Sequence, residues 1–327
     1  TKRLKKPLKI RTTRCLELSS RMKYYLAPLE GVTSHIYRRA YHTCFCPMDK
    51  YFTPFLVPHT KRGFNSRERR EILPENNPGM YLVPQIMSND ADGFLKTEEK
   101  LREYGYEEVN LNLGCPSKTV VSKNRGSGFL SKTEELDRFL DQIYRGTKGK
   151  ISIKTRIGRY SPDEFEEILR IYNQYPVEEL IIHPRVQQDF YKNRPNLEVF
   201  ARAMKESRIP VCYNGDIFTP EDEKRLEEKF PDLSCVMLGR GIIRNPGLLG
   251  EIEGSGKASA EQLRKFHDQI FHDYQENSMG EKQVLFKMKE LWSYMGTMFP
   301  EKGKALKSIR KSEKYDRYQA AVEEILG

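Results

Sequence analysis

The chain is 327 residues long, 38% hydrophobic and 31% charged, with a formal net charge of +10. That length suits one large domain with a smaller one, and no apolar run approaches the roughly 20 residues that a membrane-spanning helix requires. Six cysteines (Cys15, Cys44, Cys46, Cys115, Cys212 and Cys235) follow no regular spacing; a chain this long needs no disulfides, so a reducing, cytoplasmic setting is expected and Cys44-Phe45-Cys46 reads as incidental, with no metal expected.

In chain order, residues 1–21 come first and hold eight Lys or Arg against one Glu, so most of the positive excess sits there. This basic arm has the composition to bind RNA, but is expected to be a disordered extension ahead of Met22. It lacks the apolar segment and cleavage site of a secretory signal.

Eight β-rich runs follow: Lys23–Pro28, Met48–Phe52, Met80–Met87, Glu107–Gly114, Lys150–Arg156, Glu179–Pro184, Pro210–Asn214 and Cys235–Leu238. Several are near-continuous apolar runs, as expected for strands buried on both faces of a parallel sheet. Amphipathic stretches alternate with them. Ser131-Lys132-Thr133-Glu134, Ser161-Pro162-Asp163-Glu164 and Thr219-Pro220-Glu221-Asp222 each carry helix-opening chemistry. Residues 53–78 read as a long loop with a helix inside. Eight βα units over residues 22–250 match a (β/α)8 TIM barrel, typically about 250 residues. An open, doubly wound sheet is the alternative; the lack of an early G-x-G-x-x-G counts against its dinucleotide-binding form.

After Gly254-Ser255-Gly256, a linker, only helical patterns remain: Ser259–Asn277, Glu281–Phe299 and Gly303–Leu326. Residues 251–327 therefore read as a small all-α domain. Within it Lys302, Lys304, Lys307, Arg310, Lys311, Lys314 and Arg317 face only Glu313 and Asp316. By composition this window is equally a solvated helix face or a phosphate-contacting patch.

Catalytic residues of a TIM barrel gather at the C-terminal ends of its strands. Those ends here carry Ala27-Pro28-Leu29-Glu30-Gly31, Gln85, Asn110 to Ser117 with Cys115, Lys154 with Arg156, His183-Pro184-Arg185, Asn214-Gly215-Asp216 and Gly239-Arg240-Gly241. Gly239-Arg240-Gly241 suits a phosphate cradle, because glycines let backbone N–H groups approach and Arg adds a fork of donors. A cation inside a strand, as at Lys154, is costly unless it meets an anion or polar ligand; a structural pairing with a buried carboxylate is the alternative. His183 reads either as a satisfied core histidine or, from its rim position, as a ligand contact. Cys115, followed by Pro116 and a Gly/Ser/Lys-rich loop, is expected to face the cavity as a nucleophile or proton donor.

Taken together, these motifs resemble the tRNA-dihydrouridine synthases, from about Met22 onward. The chain departs from the usual pattern at Pro184 and Val186, where Gly and Thr are common, and at Phe129, where a smaller residue is common. The resemblance implies an FMN-dependent barrel over 22–250, a helical tRNA-binding domain over 251–327, and NADPH as a transient reductant. It implies that Ala27, Pro28, Leu29, Gln85, Lys154, His183, Asn214, Gly215, Asp216, Gly239 and Arg240 bind the cofactor. Asn112 and Arg185 would contact the substrate, and Cys115 would protonate C5 of a uracil reduced at C6. The implied partner is tRNA; no membrane association or obligate protein partner is expected, and a monomer is expected. Two other readings stand beside it: a barrel flavin reductase of a small molecule, of the dihydroorotate dehydrogenase type, and an RNA-binding protein without catalysis.

Overall fold

The computed structural model describes residues 21–59, 63–277 and 280–327. The expected disorder of the basic arm concerns residues almost all of which lie outside that range.

The strands are β1 (Lys23–Leu26), β2 (Lys50–Phe52), β3 (Leu82–Val83), β4 (Gln85–Ile86), β5 (Glu108–Leu113), β6 (Lys150–Arg156), β7 (Leu180–His183), β8 (Val211–Asn214) and β9 (Cys235–Leu238). All pairings are parallel, in the order β3-β2-β1-β9-β8-β7-β6-β5-β4. The expected third strand is thus two pieces. Pro84 lies between them and has no N–H for a ladder. Its carbonyl still accepts the Asn110 N–H at 2.9 Å, and the Thr53 hydroxyl accepts the Gln85 N–H at 3.0 Å. The piece before Pro84 pairs with β2 and the piece after it with β5. The two ends of the strand order therefore meet at one proline, which makes a barrel rather than an open sheet.

The pleat divides each strand between two environments. Val109, Leu111 and Leu113 of β5 join the apolar layer beneath the helices, while Glu108, Asn110 and Asn112 alternate with them. In β6 the same alternation sets Ser152, Lys154 and Arg156 against Ile151, Ile153 and Thr155. Register brings Gln85 level with Asn110, Asn112 level with Lys154, and Arg156 level with His183. Deeper in the barrel, Lys50 Nζ meets Glu108 at 2.9 Å and Glu179 at 3.5 Å. Tyr25 donates to Glu179 at 2.8 Å. These partners offset the cost of burying the charges.

The helices are α1 (His35–Cys44), α2 (Ser66–Ile72), α3 (Ala91–Glu103), α4 (Lys118–Val121), α5 (Thr133–Gly146), α6 (Glu164–Tyr172), α7 (Leu197–Glu206), α8 (Pro220–Lys229), α9 (Arg240–Arg244), α10 (Leu248–Ile252), α11 (Ala260–Glu276), α12 (Glu281–Met295), α13 (Gly303–Lys311) and α14 (Tyr315–Leu326). Of the three expected helix openings, only Thr219 with Asp222 closes a reciprocal capping box. Ser131 instead ends a 3-10 turn, Gly126–Ser131, and accepts a bond from Arg159 at 3.1 Å. Ser161 accepts the Asp163 N–H at 3.2 Å, so α6 begins later, at Glu164.

The last expected helix, Gly303–Leu326, is a helical hairpin. Glu281 at the start of α12 accepts the Tyr315 N–H at 2.7 Å and the Lys314 ammonium at 3.1 Å. These bonds pull residues 312–314 out of the helix. Phe266 of α11 packs edge-on against Tyr37 and Phe45, at 5.5 and 5.2 Å. The apolar core therefore runs from the barrel's first helix into the C-terminal helices without a break. No helix among the described residues is long and apolar enough to cross a membrane.

Candidate active site at the barrel mouth

A cavity of about 330 Å³ opens at the C-terminal ends of the strands. Seven of the expected site residues line it: Pro28, Leu29, Gln85, Asn112, Cys115, Lys154 and His183. The others do not line it, although Arg185 and Arg240 touch lining residues, His183 and Tyr191. Ala27 is buried behind Pro28, 3.5 Å from where a side chain on Gly239 would begin. Asn214 donates to the Met237 carbonyl at 2.9 Å and so ties β8 to β9.

Cys115 is held by its own loop. The Asn112 side-chain oxygen accepts the N–H groups of Gly114 and Cys115, both at 3.0 Å. The Asn112 amide donates to Gln85 at 2.7 Å, Gln85 to Asn110 at 2.8 Å, and Asn110 to Ser152 at 2.9 Å. One chain of side-chain bonds thus reaches from the barrel wall to the cysteine turn. From the other side, the Cys115 carbonyl accepts the Ser127 N–H and hydroxyl at 3.1 and 2.8 Å. Gly126 permits that approach: its φ is +55°, and a Cβ there would stand 2.8 Å from the Cys115 carbonyl oxygen. Phe129, larger than expected at its position, is buried against Phe139 at 5.4 Å. Burial pushes the Cys115 thiol above its ordinary value; the Ser117 backbone, Lys154 and Arg156 pull the other way without reversing it. The thiol is therefore protonated at neutral pH, the form a proton donor needs.

Lys154 is half-buried, with its ammonium group desolvated by the barrel wall. No carboxylate among the described residues bears on its ammonium group; only the Cys115 and Cys212 thiols favour the charge, and Arg156 opposes it. Burial and Arg156 together bring Lys154 down to about 8. The structural pairing with a buried carboxylate is absent, and the cation faces the cavity instead.

Arg185 sets the state of His183. Its guanidinium, 1% exposed, meets His183 Nε2 at 2.9 Å. Arginine only donates, so Nε2 is the acceptor and the imidazole proton sits on Nδ1. Burial, then Arg156, Lys154 and Arg185, drive His183 well below its ordinary value, so it is neutral. Arg185 also donates to Asp216 and to the Asn193 carbonyl, which engages all three of its nitrogens. Arg240 joins Asp216 at 2.6 Å and stacks on Tyr191 at 4.2 Å. Asp216 therefore lies between two arginines. Gly241 is forced by packing: a Cβ there would fall 2.0 Å from the Ile217 carbonyl oxygen.

Several lining residues escaped the sequence reading. Arg156, noted only as part of its strand, ties the cysteine loop to the loop after β7. It donates to the carbonyls of Gly114, Val186 and Phe190 at 3.0, 2.9 and 2.8 Å. Phe190, held at φ 49°, and Tyr191 form one wall; Tyr191 stacks on His183 at 5.9 Å. Glu290 and Tyr294 come from α12, so the C-terminal helices complete the cavity. Lys287 on the same helix anchors it by donating to the Gly31 carbonyl at 2.8 Å. The only sequence signal for this was the spacing of Lys287, Glu290 and Tyr294 on one helix face.

The basic window lies on α13, α14 and their junctions, and its seven Lys and Arg residues are all exposed. Among the described residues only Lys314 of these forms an ion pair, with Glu281.

A family model described as dihydrouridine synthase (Dus) matches residues 25–325. A probable tRNA-dihydrouridine synthase of Staphylococcus aureus (strain COL) is 28% identical over 270 residues, spanning 78% of this chain and 79% of that protein. The tRNA-dihydrouridine synthase B of Pasteurella multocida (strain Pm70) is 26% identical over 236 residues, spanning 71% and 69%. Among solved structures, histamine dehydrogenase from Rhizobium sp. 4-9 superposes with a TM-score of 0.54 at 10% identity, covering 71% of this chain and 46% of that one. Morphinone reductase in complex with tetrahydroNAD superposes at 0.50 and 11% identity, covering 75% and 90%. At such identities the structural likeness is one of fold.

Proposed function

This chain belongs to the dihydrouridine synthase family, and from that premise we propose that it reduces the C5=C6 bond of specific uridines in tRNA to 5,6-dihydrouridine, binding FMN and using NADPH as reductant. The observation that carries the reading is the pairing, in one cavity, of a desolvated cation, Lys154, without a carboxylate among the described residues, with a protonated thiol, Cys115.

The residues fit a flavin. A desolvated ammonium group with no carboxylate partner among the described residues suits an electron-rich ring edge, and Gln85 and neutral His183 offer amide and imidazole groups beside it. Ala27, Pro28 and Leu29 supply an apolar wall, with Asn214, Gly215 and Asp216 behind. Gly239 and Arg240 would hold the phosphate; among the described residues, the Arg240 nitrogens have only the Nη2 bond to Asp216. Bound FMN, once reduced, supplies the hydride that the uracil accepts at C6.

The chain's own task is the proton at C5. Cys115 carries it at neutral pH and is aimed by the bonds from Asn112. Asn112 has one amide hydrogen left for the base. Arg185, read from sequence as a substrate contact, has all three nitrogens engaged; its role in this reading is to hold the His183 tautomer. A base stacked inside folded tRNA reaches such a pocket only by extrusion. The exposed basic window of α13 and α14 would grip the flanking backbone, with affinity falling steeply as salt rises.

Mapping dihydrouridine across the tRNAs of a strain lacking this gene tests the reading. Loss at defined positions, restored by the wild-type gene, supports it; an unchanged profile sinks it. Purified protein without flavin absorbance would remove the cofactor assignment.

A further inference from the structure

Beside the Cys115 cavity lies a second, of about 490 Å³, between the loop after β1, α2 and the helices α11 and α12. The two share Glu30 and Pro54 as a common wall. Its size falls in the range of small-ligand sites.

The second cavity is cationic once its internal pairs are removed. Glu71 is consumed by Arg38 at 2.9 Å and by His35. Lys287 is spent on the Gly31 carbonyl and, at 3.3 Å, on Glu290. Among the described residues Arg67 pairs only with the half-exposed Glu30. Arg70 has no carboxylate partner among the described residues. The walls add apolar surface from Pro54, Ile36 and Tyr274. Ser34, also lining the cavity, has its hydroxyl buried beside Tyr274. A guanidinium without a carboxylate partner among the described residues, Arg70, beside a second held only by an exposed Glu30, over a largely apolar hollow, suits a nucleoside phosphate.

We propose that this cavity receives the nucleotide adjacent to the target uridine, with Arg70 and Arg67 on its phosphate. The inference rests on the reading that the Cys115 cavity takes an extruded tRNA uridine. A strand that delivers a base to one cavity and runs on over the wall they share brings its next nucleotide to the other. NADPH is also a nucleoside phosphate, and the test separates the two sources.

The flavin-loaded full-length enzyme is assayed with a tRNA that it modifies, comparing wild type with Arg70→Ala and Arg67→Ala, both exposed positions. If wild type makes no dihydrouridine, the function reading fails before this inference is reached. Where it does, Arg70→Ala should raise KM for tRNA about five-fold and leave kcat within about two-fold. The logarithmic salt slope of tRNA binding should become shallower by roughly 0.7, one single-strand phosphate contact. A tRNA carrying a neutral methylphosphonate beside the target should bind wild type at least as weakly as native tRNA binds the variant, and combining the two should cost no more than the methylphosphonate alone. The rate of flavin reduction by NADPH should not change. An unaltered KM and salt slope, or losses that add, would overturn the proposal. So would slowed flavin reduction with normal tRNA binding, which would assign the cavity to the reductant.

Discussion

The Asn112 side-chain oxygen accepts the backbone N–H of Cys115 at 3.0 Å. A strand residue of the barrel wall thereby aims the thiol three positions later. Asn112→Ala removes this bond, the parallel one to Gly114 and the link to Gln85. Displacing a reacting group by an ångström can cost about 100-fold, and a loss of that order is expected in the single-turnover rate of reduced enzyme with tRNA. Asn112→Asp can still accept both N–H groups but cannot donate to Gln85, so it should recover part of the rate. Equal rates for the two variants would show that the turn is not what matters.

Cys115→Ala should retain flavin absorbance and tRNA affinity while losing roughly 100- to 10,000-fold in turnover, the usual worth of a positioned acid. Because burial holds the thiol above its ordinary value of 9, the wild-type rate should stay flat through neutral pH and fall only as the thiol ionises on the alkaline side. A single-turnover pH profile checks this; a fall between pH 6 and 7 would point to another acid.

Lys154 makes a prediction of opposite sign for stability and for binding. Its folded-state value is about 8 against 10.5 unfolded. Below pH 8 both states hold the proton, and the native state bears the whole cost of a buried charge. Between these values the unfolded chain binds more protons, so the unliganded protein should gain stability as pH rises. Lys154→Met should therefore stabilise the flavin-free protein at pH 7 by about 2 kcal/mol, with the difference shrinking by pH 10. Flavin affinity should drop at least ten-fold. Urea midpoints and flavin titration measure the two effects.

Gly241→Ala should cost about 2–4 kcal/mol in urea unfolding, because its Cβ would fall 2.0 Å from the backbone oxygen of Ile217, and backbone cannot yield as a side-chain tip can. Flavin binding should weaken in parallel, since Arg240 precedes it at the start of α9.

The basic window should act through charge alone. Reversing Lys304, Lys307 and Arg310 to Glu should weaken tRNA binding at least ten-fold at low salt and flatten its salt dependence. The flavin spectrum should be unaffected.

The sequence made much of this legible, for identifiable reasons. Strand ends were readable because apolar runs of four to seven residues stop abruptly in polar, Gly- or Pro-containing loops, and a barrel sends such ends to one rim. Cys115, Lys154 and His183 were found that way. Local signals misled where a distant group competed. Ser131 carried capping-box spacing, yet it completes a 3-10 turn and accepts from Arg159, 28 positions away. Gly303–Leu326 read as one helix until Glu281, 34 positions before Tyr315, accepted its N–H.

By itself the sequence determined the βα alternation, the polar residues at the strand ends, the helical C-terminal region and the family resemblance, because each is written in short-range pattern or ordered motif. Only the tertiary structure decided what those residues do to one another. It closed the barrel at Pro84, left Lys154 without a carboxylate, engaged Arg185 with His183 and Asp216, and brought Glu290 and Tyr294 from α12 to the mouth. Burial and partnership depend on what packs against a side chain from far along the chain, and no local pattern carries that information.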